Sequence, residues 1–348
     1  MINVVKNEHV RDSNMELLRI IAMLLVMVVH ADFRALGIPV FEEVQTNPFS
    51  SSFRFLTESF SIISVNVFVL LSGWYGIKFK LDRLWEFLFQ VFFFSIFLFV
   101  VYSLVNPEEC LTLSGGASIL LLKQWDYWFV KAYMGLYLFA PVINSFIENA
   151  SKKQVQIFLI SFYLFQTVYA WISPNGAAFF QTGYSSISFI GLYMLARYIR
   201  LYPSPIWRLA YYWDLMIYII IALFTTFVVL ILVYCNISLV GHLYNYTSPL
   251  VIISAIYFFL FFTKIQLKSR FVNWIACSCF AVYLLHSNRF GAATYDGLIF
   301  EWFHNLSTCS FLLHVTLFIL FVFFLAIFLD KVRMCIWCRL YRKNVEKL

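Results

Sequence analysis

The chain has 348 residues, of which 62% are hydrophobic, 21% aromatic and only 12% charged, and its net charge is +7. Soluble domains carry about a quarter charged residues, so a soluble globular enzyme is excluded, and 41 Phe, 21 Tyr and 10 Trp exclude a disordered chain. The mean hydropathy of +0.81 points to a membrane bundle.

Apolar runs at 15–36, 57–78, 84–105, 126–148, 154–174, 184–201, 212–235, 246–263, 272–292 and 311–330 predict an all-α, polytopic membrane helix bundle. It has about ten transmembrane helices in a single domain over residues 1–348, with no room for a separate soluble catalytic domain. The first run continues through a His with no small-residue cleavage site, so it reads as an uncleaved helix and not a signal peptide. Pro39 to Ser52, Asn106 to Gly116 and Ser173 to Gly183 read as loops. With a cytoplasmic N-terminus, 20 Lys and Arg, Lys6 and Arg11 among them, fall inside, and four (Arg34, Arg54, Lys123 and Arg289) fall outside. Both termini are then cytoplasmic. Basic inner loops facing anionic lipid account for the net charge without nucleic acid. The seven Cys lie mostly in apolar runs, and Cys335 and Cys338 form a lone CxxC. There is no metal-ligand spacing, no HExxH, no GxSxG and no P-loop.

Polar residues inside apolar runs are candidate functional groups. In the first run Arg19 and His30 are eleven residues apart, which returns to within about 20° of one face some 16 Å along the axis. That stripe suits an elongated ligand with an anionic head at the inner surface and a reactive end deep in the membrane. The alternative is a snorkelling Arg19 and a hydrogen-bonded core His30. The second run carries Ser59, Asn66 and Gly73 at seven-residue spacing beside Ser72, a pattern of close helix packing. The turn that follows holds Lys78, Lys80 and Arg83, either ordinary inner-loop charge or a second cationic cluster suited to phosphates. Lys131 lies below the outer surface in the fourth run, where Pro141 predicts a kink. His286 falls in the ninth run at the depth of His30. Two His and a Lys at one depth suggest a polar cavity open to the outer side, which Asp32, Glu58 and Asn66 could line.

Several segments resemble the integral-membrane acyltransferase 3 family. Asn14-Met15-Glu16-Leu17-Leu18-Arg19 followed by His30 resembles its first helix, with a basic residue, ten residues and a His. Phe68-Val69-Leu70-Leu71-Ser72-Gly73-Trp74 resembles its FxxLSGY/W segment. Lys80-Leu81-Asp82-Arg83 resembles its RxxR pair with Lys in first place, and Trp128 to Pro141 its aromatic helix. Ala281-Val282-Tyr283-Leu284-Leu285-His286 is similar to its IYLLH segment. The matches run in order through most of the chain.

The resemblance implies an O-acyltransferase of a bacterial cytoplasmic membrane. Such a protein moves an acyl group, usually acetyl, from acyl-CoA to a hydroxyl of a cell-surface carbohydrate or its lipid-linked precursor, with no tightly bound cofactor. The appended hydrolase-like domain of some relatives is not expected, since the chain ends eighteen residues after the last run. The expected site has Arg19, Lys80, Arg83 and Ser72 at the coenzyme A and His30 as general base. Asn66 or Lys131 would face the oxyanion, and His286 would orient or protonate. Lys at position 80 keeps the charge but loses the planar guanidinium fork. A homo-oligomer is compatible with the sequence. The competing readings are a lipid-linked glycan transporter or flippase without acyl chemistry, and a non-catalytic scaffold.

Overall fold

The computed structural model describes residues 12–345 except Leu111, Gln124, Trp125, Pro174 and Asn175; Lys6 and Arg11 of the charge count lie outside the described residues. It is 83% helical, with no strand among the described residues. Helices alone satisfy every backbone N–H and C=O within one segment, as a lipid environment demands. In chain order they are α1 (Ser13–Val29), α2 (Phe41–Thr46), α3 (Pro48–Ser61), α4 (Ser64–Tyr75), α5 (Leu81–Val105) and α6 (Pro107–Cys110). Then come α7 (Leu113–Ile119), α8 (Trp128–Asn149), α9 (Lys152–Gln166), α10 (Ser186–Leu201), α11 (Tyr211–Tyr234) and α12 (Val240–Leu243). The remainder are α13 (Pro249–Lys264), α14 (Arg270–Ala276), α15 (Cys279–His286), α16 (Arg289–Asn305) and α17 (Thr308–Val345).

Among the described residues, six helical segments are long and apolar enough to cross a membrane: Pro48–Tyr75, Leu81–Val105, Trp128–Asn149, Lys152–Ile172, Tyr211–Tyr234 and Thr308–Leu340. Pro249–Lys264 and Arg270–His286 are shorter apolar helices. The outward faces are apolar. Ile220, Leu223, Phe224 and Phe227 on α11 are exposed at helical spacing, as are Leu317, Phe321, Phe324 and Phe328 on α17. A water-soluble bundle would place charge on those stripes.

Helix α1 lies at the centre, packed against α3, α4, α13, α14, α15 and α17. Its start is pinned by the Ser13 hydroxyl, which accepts from the Ser269 N–H at 3.0 Å, and by Asn14, which donates to the Phe262 carbonyl at 2.8 Å. At His30 it passes into a π-helical turn, His30–Arg34, that the regular spacing did not foretell. Around this axis α10 packs on α4 and α8, and α11 on α3 and α13. Gly73 permits the α4–α10 contact, since a Cβ there would overlap the Tyr193 carbonyl oxygen. Gly76, at φ +75, ends α4 in a conformation that a side chain would strain.

Three of the expected loops contain helix. Pro39 to Ser52 includes α2 and the start of α3, because the Glu43 carboxylate accepts from the Val40 N–H at 2.9 Å and Pro48 opens α3 at N1. Asn106 to Gly116 includes α6 and most of the first turns of α7, whose Thr112 hydroxyl caps Gly115 N–H. Ser173 to Gly183 ends in a 3-10 turn, Ala178–Gly183. Beyond the ninth run, α16 is a helix that hydropathy passes over because Asp296, Glu301 and His304 interrupt it; the Asn288 side chain caps its start at 3.0 Å. α8 runs through Pro141 as one helix.

Replacing Gly73 by Ala is expected to destabilise the protein by about 1–3 kcal/mol through overpacking. Thermal unfolding in detergent checks this, with Gly297→Ala, where nothing lies within 4 Å, as the silent control.

Candidate functional site

Three spaces border α1 in turn: a cavity at the Arg19 end, a narrow neck, and an outer cavity that shares His30, Trp128, Tyr246 and Tyr283 with the neck. At the Arg19 end, a cavity of about 340 Å³ is lined by Arg19, Ser72, Lys78, Arg83, Tyr133 and Tyr137 with neighbouring apolar groups. Arg19 leans on Glu16 one turn earlier at 2.5 Å. Ser72 donates to its own helix at the Phe68 carbonyl, 3.0 Å away, and its hydroxyl meets Tyr133 Oη at 3.3 Å. Arg200 stacks on Trp74 and Tyr75 nearby, at 5.3 and 5.5 Å from the ring centroids, and adds to the positive rim. Lys80 is exposed and does not line the cavity. Its backbone is bracketed by Tyr137 Oη, which accepts from the Lys80 N–H at 2.9 Å and lies 3.0 Å from the Lys80 carbonyl. Lys78, from the same basic turn, occupies the lining position instead.

The neck, about 30 Å³, is walled by Met23, Val26, Val65, Phe68, Phe129 and Phe280, with His30, Trp128, Tyr246 and Tyr283 at its rim. Phe129 and Phe280 pack at 6.3 Å and Phe280 and Tyr283 at 5.9 Å, so aromatic rings close the passage. Beyond it a cavity of about 740 Å³ opens, lined by His30, Arg34, Glu58, Asp126 and several aromatic residues. His30 borders both the neck and this outer cavity.

His30 Nδ1 lies 2.9 Å from His286 Nε2, and His286 Nδ1 lies 2.5 Å from the Val282 carbonyl oxygen. A carbonyl can only accept, so His286 carries its proton on Nδ1. In the neutral ring Nε2 then has the lone pair and accepts from His30 Nδ1–H. The Ser287 hydroxyl oxygen, 3.3 Å away, shares that proton. His30 Nε2 is left as an unprotonated nitrogen. The chain carbonyl–His286–His30 thus sets a proton acceptor at the end of a buried relay, since His286 is 2% exposed. Tyr295, beside His286 at 5.2 Å between ring centroids, donates to the Met27 carbonyl at 3.0 Å and ties α16 to α1 just below His30.

Other expected site residues lie apart from this relay. Asn66 is fully buried and donates to the Tyr246 carbonyl at 3.1 Å, so it fixes the cavity wall and does not line it. Lys131 Nζ donates to the Lys123 carbonyl at 2.5 Å and lines neither the neck nor the outer cavity. Asp32 turns away from His30 into a buried pair with Arg54, Nε to Oδ1 2.6 Å, and Arg54 also donates to the Gly37 carbonyl. Ser287, Tyr184 and Tyr246 join the site without having been singled out. Ser287 was readable only as the neighbour of His286, and the two tyrosines arrive from loops with no spacing signal.

The Asp32–Arg54 pair yields a stability prediction. Arg54→Met leaves a buried carboxylate without its cation and is expected to cost about 3–5 kcal/mol, with most of the loss recovered in the double variant with Asp32→Asn. Thermal unfolding of the three variants in one detergent measures it.

No curated protein and no solved structure matches the chain. The family model described as an acyltransferase domain, acyltransferase 3, matches residues 12–331, nearly the whole chain and every segment that builds the two cavities and the neck. On that match, and with its apolar helical bundle, the chain is a multi-pass membrane protein that belongs to the acyltransferase 3 family.

Proposed function

We propose that this protein is an O-acyltransferase that takes an acyl group, acetyl foremost, from acyl-CoA and places it on a hydroxyl of a cell-surface carbohydrate or lipid-linked glycan precursor. The observation that carries the reading is the placement of the His30–His286 pair beside the neck and the outer cavity, with a cationic cavity at the Arg19 end of the same helix. In this reading the Arg19 end faces the cytoplasm of a bacterial inner membrane, in line with the Lys and Arg bias.

The coenzyme A phosphates bind at Arg19, Lys78 and Arg83, where guanidinium forks and an ammonium suit phosphate oxygens. The pantetheine arm follows the α1 face from Arg19 toward His30 and displaces the rings of Phe129 and Phe280 at the neck. The acceptor enters the outer cavity. His30 Nε2 removes the proton of its hydroxyl as the oxygen attacks the thioester carbonyl. The C–S bond then breaks, and the thiolate of coenzyme A takes the proton back from His30. His286 holds the productive tautomer and accepts a hydrogen bond from the imidazolium as it forms, the part played by an orienting group in a catalytic triad. Trp128, Tyr246 and Tyr283 are the donors bordering the neck with His30, and they suit the oxyanion better than Asn66 or Lys131, whose nitrogens are on backbone carbonyls.

A glycan flippase reading is disfavoured by the neck, since about 30 Å³ walled by aromatic rings is too small to pass a sugar.

Radiolabelled acetyl-CoA supplied to the protein in liposomes, with mixed glycolipid as acceptor, tests the proposal. His30→Ala should lower turnover by at least about 10²-fold. His286→Ala should lower kcat by about 10²-fold, and His286→Gln by less, since its side-chain oxygen still accepts from His30 Nδ1–H. Arg19→Ala and Arg83→Ala should each raise KM for acetyl-CoA by about tenfold, as charged hydrogen bonds are lost. Absence of thioester turnover in the unaltered protein would favour the transporter.

A further inference from the structure

The outer cavity has two unlike walls. One is aromatic: the Trp128 and Tyr184 rings lie 4.4 Å apart between centroids, Tyr184 and Tyr246 5.0 Å, and Trp128 and Tyr246 6.0 Å. The other is acidic. Glu58 is 1% exposed and lines the cavity, yet its Oε2 has no hydrogen-bond partner, and Asp126 Oδ2 is likewise buried without one. Lys131 lies within electrostatic reach of Asp126, and the arginines around the cavity are engaged elsewhere. Arg54 is spent on Asp32 and the Gly37 carbonyl, and Arg34 is held by Asp296 through three contacts of 2.7–3.1 Å. Arg289, also at this cavity, donates to Ser114 Oγ at 3.3 Å. Buried polar atoms are almost always paired, so two residues that line one cavity and each keep a carboxyl oxygen without a hydrogen-bond partner suit a ligand that brings donors.

We infer that Glu58 is the acceptor-binding residue of this cavity, its carboxyl receiving hydroxyls of an uncharged sugar ring that lies on the Trp128, Tyr184 and Tyr246 rings. The inference rests on the acyl-transfer reading for its role, though not for its binding. A pyranose offers exactly the two chemistries the walls lack. Its C–H face is apolar and slightly positive, which matches the negative face of an aromatic ring. Its equatorial hydroxyls are donors for a carboxylate. A ring so placed lies in the same cavity as His30 Nε2 and can present a further hydroxyl to it. An acidic sugar would bring a third carboxylate against Glu58 and Asp126, a repulsion that selects against it.

Equilibrium binding of radiolabelled methyl glucoside, galactoside, mannoside and rhamnoside, with methyl glucuronide as the acidic comparison, separates this inference from the acyl-transfer reading. It uses the full-length protein in liposomes with no acyl donor. At least one neutral pyranoside should bind, and the glucuronide should bind about tenfold more weakly than the glucoside. Glu58→Gln keeps the shape of the side chain and should weaken pyranoside binding by about tenfold; in transfer assays it should raise the acceptor KM while KM for acetyl-CoA stays as it was. Asp126→Asn provides a second variant with a smaller loss. Equal binding by Glu58→Gln and the unaltered protein, preference for the glucuronide, or no binding of any pyranoside by a protein that turns over acetyl-CoA would overturn the inference. Sugar binding that depends on Glu58 in a protein without thioester turnover would uphold it and sink the acyl-transfer reading instead.

Discussion

Helix α1 and the π turn that continues it carry Glu16, Arg19, His30 and Asp32 through an otherwise apolar segment, and none of these can face lipid cheaply. The rest of the bundle is arranged to keep them off it. α3, α4, α13, α14, α15 and α17 surround α1, while α5, α9 and α11 turn apolar stripes outward. Each polar group of α1 then receives its own answer. Glu16 and Arg19 pair with each other at a cavity, Asp32 pairs with Arg54, and His30 meets His286. A helix with no exposed residue is therefore both the structural axis and a wall of the two cavities.

The geometry is directional. Positive groups gather at the Arg19 end, while the outer cavity mixes carboxyls, tyrosines and paired arginines. The neck separates the two with aromatic rings, and His30 stands where it opens. The π turn from His30 to Arg34 shifts the register of the residues that follow, and such turns are found at functional sites. Beyond His30, Arg34 reaches Asp296 on α16 and Asp32 reaches Arg54 on α3.

Buried charge elsewhere is settled internally. Asp214 pairs with Lys264, and Asp330 takes both Arg333 at 2.7 Å and Gln90 at 2.9 Å, which joins α17 to α5. These pairs join elements at the ends of spans and border no cavity described above. Asp214 and Asp330 each keep one oxygen without a hydrogen-bond partner, as Glu58 does, but each has a cation on its other oxygen, whereas Glu58 lines a cavity large enough for a ligand.

Composition and hydropathy by themselves determined the all-α membrane class and the approximate position of every apolar run, because a lipid-facing helix must be apolar along its length. The 11-residue interval of Arg19 and His30 determined that both lie on one face of α1, since helical periodicity is local. The partners of that face were decided only by tertiary structure. Nothing in the spacing shows that His286 reaches His30, that Lys78 lines the cavity and Lys80 does not, or that Asn66 and Lys131 end on backbone carbonyls. Those outcomes depend on which helices touch and on how loops such as the one bearing Tyr246 fold back. Such contacts join residues as much as 268 positions apart, and no local periodicity encodes them.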